Sequence, residues 1–125
     1  MSKFVLVVDD DAITRFMMRE MCEELGFECK VAESGDRCLE MLTSTPNYPY
    51  IILMDIHMPE LSGDDVCAQV RKLETDPPKN LPIIAVTADE HWRNEARYKA
   101  AGFNGFIPKP LTFSRLQSAL DDSVS

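Results

Sequence analysis

Short, nearly continuous apolar runs recur along the chain, each followed by a stretch whose apolar residues fall at helical spacing. The runs are FVLVV (4–8), FECKVA (27–32), YIILM (50–54), PIIAV (82–86) and GFI (105–107). They are rich in Val, Ile and Phe and mostly lack polar alternation, as strands covered on both faces do. FECKVA is the exception: it alternates, with Glu28 and Lys30 on one face, which places this strand at a sheet edge. Between the runs, Ile13, Met17, Met21 and Leu25 follow four-residue steps and predict a first helix packed along that stripe. Val66, Val70 and Leu73 repeat the pattern in a third helix. The segment HWRNEARYKAA (91–101) offers only Trp92, Ala96 and Ala100 as a stripe, so the fourth helix is expected to be weakly held and adjustable.

The punctuation agrees with these periods. Gly26 and Gly102 stand where left-handed C-caps would close the first and fourth helices, and Ser34 and Ser62 where N-caps would open the second and third. Thr112 is placed to cap the last helix, with Leu111 and Leu116 as a hydrophobic staple. Strands joined by helices run parallel with right-handed crossovers, so the expected fold class is α/β: a doubly wound five-stranded parallel sheet, helices on both faces. The flavodoxin-like order 2-1-3-4-5 puts the alternating second strand at an edge, as its pattern asks. It also makes strands one and three neighbours at the switch point where ligands settle, beyond the carboxyl ends.

Length and composition narrow the picture further. A chain of 125 residues with 45% apolar content is expected to form one domain, residues 1–125, with no output domain after the fifth helix. Thirteen basic against twenty-one acidic side chains give a formal charge of −8, which argues against nucleic acid and anionic membranes and for protein or cation partners. Cys22, Cys29, Cys38 and Cys67 show no CxxC spacing and lie in apolar segments, so they read as small buried hydrophobes in a reducing, cytoplasmic setting. No run approaches the roughly eighteen apolar residues of a membrane span, and the residues before the first strand lack the apolar stretch expected of a signal peptide.

The residues just after each strand supply the candidate chemistry: Asp9, Asp10 and Asp11 after the first, Asp55 after the third, Thr87 after the fourth, Lys109 after the fifth. Crowded carboxylates repel one another unless a cation sits among them, and a hard divalent ion with oxygen ligands is the natural relief. Each piece also has an ordinary reading: an N-cap for Asp11, a loop residue for Asp55, a helix cap for Thr87, a solvated charge for Lys109. Their joint placement at four strand ends favours a site.

The acidic pair in VVDDD, the segment LMDIHMPELSG, VTA at the fourth strand end and FIPKP near the chain's end together resemble a two-component response-regulator receiver domain of the chemotaxis-receiver type. The resemblance spans essentially the whole chain. It implies that Asp55 accepts a phosphoryl group from a phosphohistidine, and that Mg2+, with Mn2+ able to substitute, is held by Asp10, Asp55 and the backbone carbonyl of His57, with Asp9 binding through water. Lys109 supplies a second cation, and the Lys109–Pro110 peptide is expected to be cis. Thr87, Ala88 and Phe106 correspond to the switch that alters the face made by the fourth helix, fifth strand and fifth helix. His57 and Asp89 are expected to tune dephosphorylation. Phe106 replaces the tyrosine often found there and cannot donate a hydrogen bond, and PELSG departs from the more usual methionine-aspartate before the glycine.

The partners implied are a histidine kinase or histidine phosphotransfer protein as donor and a downstream protein on the switching face. Thr14, Met17 and Met18 on the methionine-rich first helix, and Trp92, are candidates for partner contact, or alternatively core residues. A stand-alone monomer is expected, dimerisation on phosphorylation being the alternative state and a receiver cut from a hybrid kinase the alternative origin. Such a domain is not an enzyme beyond its own phosphoryl transfer and slow autodephosphorylation. Two other classes remain as alternatives: a magnesium-dependent aspartyl-phosphate phosphohydrolase, where His57 would stand in the place of the usual general acid, and a phosphorylation-independent pseudo-receiver.

Overall fold

The computed structural model describes residues 4–44 and 46–124, with side chains as far as Asp121. The Met1–Lys3 start and the last residue of the acidic tail lie outside the described residues. The elements run β1 (Phe4–Val8), α1 (Ala12–Glu24), β2 (Glu28–Ala32), α2 (Gly35–Thr43), β3 (Ile51–Asp55), α3 (Gly63–Arg71), β4 (Ile83–Thr87), a 3-10 turn (Glu90–Arg93), α4 (Glu95–Ala100), β5 (Gly105–Pro108) and α5 (Phe113–Val124). The sheet is parallel throughout, in the order β2-β1-β3-β4-β5. β2, the alternating run, is an edge strand as expected.

Period-2 geometry divides each buried strand between two cores. Leu6, Val8, Ile52 and Met54 pack with Cys38 and Leu42 of α2 and with Val66, Cys67 and Val70 of α3. Val5, Val7, Ile51 and Leu53 face the other way, against Met18 and Cys22 of α1 and Leu116 and Leu120 of α5. This is why β1 is apolar throughout and β3 and β4 are apolar up to their last residues, Asp55 and Thr87: neither face meets water. All four cysteines are free and buried, and burial pushes the Cys38 thiol up to about 12 and that of Cys67 to about 11.

The caps follow the sequence closely. Gly26 (φ +91°) and Gly102 (φ +104°) each occupy the left-handed position after a helix. Phe27 and Phe103 then donate back to the carbonyls of Cys22 and Tyr98, which completes a Schellman motif at both ends. Ser34 accepts from the Arg37 N–H, and Thr112 Oγ1 from the Arg115 N–H. Ser62 occupies the N-cap position of α3 without capping, because its hydroxyl donates to Asp65 instead.

Two expectations are corrected. The buried face of α1 is Met18 and Cys22, with Met21 and Leu25 half-buried, whereas Ile13 and Met17 of the expected core stripe are 71% and 51% exposed. Apolar residues cover so much of this helix that their spacing left its rotation undetermined. The fourth helical segment is also not continuous. Asn94 is extended and caps a separate six-residue α4, while Asp89 caps the 3-10 turn before it.

Candidate functional site

Parallel strands end together, so the residues that finish β1, β3, β4 and β5 share one rim. Asp9 follows β1, Asp55 closes β3, Thr87 closes β4 and Lys109 follows β5. Among the described residues, the buried polar side chains are Asp9 (1% exposed), Asp55 (6%) and Thr87 (2%), all on this rim. Taking carboxylates out of water is costly unless they are paired, and this concentration in one place is the mark of a site rather than of a stable core.

Lys109 bridges the two buried acids, its Nζ 3.0 Å from Asp9 Oδ2 and 3.1 Å from Asp55 Oδ1. Asp9 is held further by the Asp11 N–H on Oδ1 at 2.9 Å, and the Arg15 guanidinium donates to its backbone carbonyl at 2.8 Å. Burial and then the neighbouring charge of Asp9 raise the Asp55 carboxyl from 3.8 to about 6, even though Lys109 pulls it down. For Lys109, burial works against the charge, but the hydrogen bond to Asp9 and both carboxylates outweigh it and its pKa is raised. One ammonium therefore does not fully offset the acids around it.

Asp10 is exposed beside them, and Asp9, Asp10 and Asp55 each present a carboxylate oxygen within 4.8 Å of the others. Three hard oxygen donors, one of them open to water, around a carboxylate that burial makes reluctant to ionise fit Mg2+ better than a nitrogen- or sulfur-seeking ion. Asp11 does something different. It caps α1, accepting from the Thr14 N–H at 3.0 Å and its hydroxyl at 2.6 Å, and the latter bond leads the causes that hold its carboxyl below the usual range.

The loops over the rim are tightly constrained. Gly63 packs so closely on the β3 end that a Cβ would lie 2.1 Å from the Asp55 carbonyl oxygen, and its N–H donates to the Ile56 carbonyl at 2.7 Å. Glu60 in the same loop adopts φ +68°, a conformation side chains other than glycine pay strain to hold. His57 Nε2 lies 2.9 Å from Asp89 Oδ2 and so joins the loops after β3 and β4 across the mouth of the site. Asp89 also donates its N–H to Thr87 Oγ1 at 3.1 Å, and the His91 N–H, followed by His57, holds the Asp89 carboxyl low. The Lys109–Pro110 peptide is cis.

The remaining candidates divide. Thr14, Met17, Ala88, Lys109 and Pro110 line a cavity of about 330 Å3 between α1 and the loop after β5. Phe106 is half-buried on β5, with the Arg93 guanidinium 6.0 Å from its ring. Of the two readings open for Met18 and Trp92, partner contact or core, the structure selects core: they are 2% and 7% exposed. Met18 lies on the sheet-facing side of α1, and Trp92 packs edge-on against Phe103 beneath Arg97. The sequence reading did not single out Arg15, whose bond to the Asp9 carbonyl spans six residues with no local motif, nor the close approach of Gly63.

A family model for the response regulator receiver domain matches residues 5–121. The chain is 31% identical over 115 residues to the polar-differentiation response regulator DivK of Brucella ovis, covering 92% of this chain and 90% of that protein. It is 34% identical over 115 residues, 90% of its length, to part of the peroxide stress-activated histidine kinase mak1 of Schizosaccharomyces pombe, of which it spans 7%. Among solved structures, response regulator TrrA of Thermotoga maritima, in complex with Mg2+-BeF, superposes with a TM-score of 0.82 at 30% identity, covering 97% of this chain and 98% of that one. The chain belongs to the response regulator receiver domain family, a class of two-component signalling domains with the flavodoxin-like fold.

Proposed function

We propose that Asp55 is the phosphoacceptor. An Asp55 carboxylate oxygen attacks the phosphorus of a phosphohistidine on a histidine kinase or phosphotransfer protein; a P–O bond forms, the P–N bond breaks, and the imidazole nitrogen leaves and takes up a proton. Asp9, Asp10, Asp55 and the His57 backbone carbonyl would hold Mg2+, with Mn2+ as a substitute, and the bound ion would neutralise charge on the phosphoryl oxygens. Lys109 already reaches Asp55 and is placed to meet the transferred group. The observation that carries this reading is the confinement of buried polar side chains to Asp9, Asp55 and Thr87, bridged by Lys109.

The Thr87 hydroxyl accepts from Asp89 and keeps its own proton to donate to a phosphoryl oxygen on Asp55. Drawing Thr87 and Ala88 inward opens space for the half-buried Phe106 to turn in, and the α4-β5-α5 face changes as one of two pre-existing arrangements is favoured. His57 and Asp89, joined over the site mouth, tune hydrolysis of the acyl phosphate. The donor docks on the exposed side of α1, where Ile13, Phe16 and Met17 are 71%, 64% and 51% exposed. The activity is self-catalysed transfer and slow autodephosphorylation, and the free, buried thiols suit a reducing, cytoplasmic setting.

Incubation with Mg2+ and a small phosphodonor, read by intact mass and peptide mapping, tests this. One phosphoryl group per chain on Asp55, abolished in Asp55→Asn and by chelation, is expected. Undiminished labelling of Asp55→Asn would move the acceptor elsewhere and refute the reading.

A further inference from the structure

Two of the four buried thiols are neighbours. Cys22 lies on the sheet-facing side of α1 near its end, and Cys29 is the second residue of β2, beside Val5 of β1. The connection between them is a tight turn: Gly26 takes its left-handed conformation, and the Phe27 N–H donates to the Cys22 carbonyl at 3.0 Å. The chain thus folds back on itself, and the Cys22 thiol donates a hydrogen bond to the Cys29 sulfur. The Cys29 thiol in turn donates to the Lys30 carbonyl at 3.7 Å. Both residues belong to the core under α1 and α5, toward the amino ends of the strands and away from the phosphoacceptor rim.

The hydrogen bond between them makes the two thiols unequal. A donor on its sulfur favours the Cys29 thiolate and lowers its pKa; burial opposes this and the Arg19 guanidinium assists it. Cys22 would lose that bond on giving up its proton, and burial adds to the penalty, so its thiol is pushed up. One sulfur ready to attack with a protonated thiol against it is the arrangement of a reactive dithiol. A route to solvent exists at the same corner. Glu23, Glu24, Gly26 and Glu28 are exposed, and β2 is an edge strand hydrogen-bonded to β1 alone, so a local opening uncovers Cys29. Cys38 and Cys67 provide the contrast: they sit in the other core on α2 and α3, with both thiols raised by burial.

We infer that Cys22 and Cys29 form a reversible disulfide when the protein meets a hydroperoxide. The Cys29 thiolate attacks the terminal peroxide oxygen; an S–O bond forms, the O–O bond breaks, and the leaving oxyanion takes up a proton. The Cys22 sulfur, its proton passing to solvent, then attacks the Cys29 sulfenic acid; the S–S bond forms, the S–O bond breaks, and hydroxide leaves to become water. The two thiols lose two electrons and the hydroperoxide gains them, so hydrogen peroxide ends as two waters. In a reducing compartment such a bond is transient, returned to the dithiol by exchange with other thiols.

The test treats the full chain with hydrogen peroxide at neutral pH without denaturant, quenches at intervals, and alkylates the remaining thiols in urea. Digestion at Glu23, Glu24 and Glu28 without reductant then separates the two cysteines. A mass lower by that of two hydrogen atoms and a linked peptide pair carrying Cys22 and Cys29 are expected, both reversed by dithiothreitol. Cys38 and Cys67 should oxidise at least about tenfold more slowly. In Cys22→Ser, Cys29 should accumulate as a sulfenic acid trapped by dimedone, and in Cys29→Ser, Cys22 should stay reduced. The wild-type peptide map decides the matter even where a variant folds poorly. No linked pair, a Cys38–Cys67 link formed as fast, a link between chains only, or Cys22 oxidised in Cys29→Ser as readily as in the wild type would overturn the inference.

Discussion

Replacing Asp55 with asparagine should stabilise this fold, by an amount that depends on pH. The Asp55 carboxyl ionises near 6 in the folded chain against 3.8 in an unfolded one, because burial and Asp9 oppose its charge. Between those values the native state holds a proton that the unfolded state has released, so stability falls as pH rises through this window. The fall is complete above about pH 6. A difference of about two pKa units at 1.36 kcal/mol each amounts to about 3 kcal/mol, and the attraction of Lys109 is already contained in it. Asparagine resembles the protonated acid and never incurs the cost. In EDTA, Asp55→Asn should therefore exceed the wild type by about 3 kcal/mol at pH 7.5, roughly 10 °C in Tm for a domain of this size, and by almost nothing at pH 3.5. Urea unfolding at both pH values measures this directly. Mg2+ at about a hundred times its Kd should raise the wild type alone by roughly 2.7 kcal/mol and nearly close the gap. A gain equal at both pH values, or a loss at pH 7.5, would refute the electrostatic account of the site.

Substitutions at two further positions probe the scaffold. The Arg71 guanidinium donates to the carbonyls of Lys79, Leu81 and Gly102 and to the Asn104 side chain, tying the end of α3 to the loops before β4 and β5. Arg71→Met should cost about 3 kcal/mol in urea unfolding by leaving several of these acceptors unpaired, and Arg71→Lys should recover less than half, because an ammonium does not reproduce the fork. Glu60→Gly removes the left-handed strain of a non-glycine residue and should add about 0.5–1 kcal/mol in the same assay without changing Asp55 labelling.

Much of this architecture was legible in the order of residues. Strands covered on both faces are apolar along their buried length, and β1, β3 and β4, the latter two polar only at their closing Asp55 and Thr87, lie within a residue of where the pattern placed them. The rim followed from them, because parallel strands alternating with helices bring their carboxyl ends to one edge whatever the packing. The rotation of α1 was not legible: Ile13, Met17, Met18 and Cys22 are all apolar enough to be inside, and docking on the sheet selected the last two. Nor was the break at Asn94, where a side-chain cap competes locally with a weak helical pattern.

What the sequence by itself determined is therefore the set of elements, their parallel order and the identity of the groups delivered to the strand ends, since these depend on local periodicity and chain direction alone. Only the tertiary structure decided which of those groups lose their water, which carbonyls Arg15 and Gly63 meet, and that His57 reaches Asp89 over the site. Burial and distance between residues remote in the chain are properties of packing, and packing sums many weak contacts that no short stretch of sequence encodes.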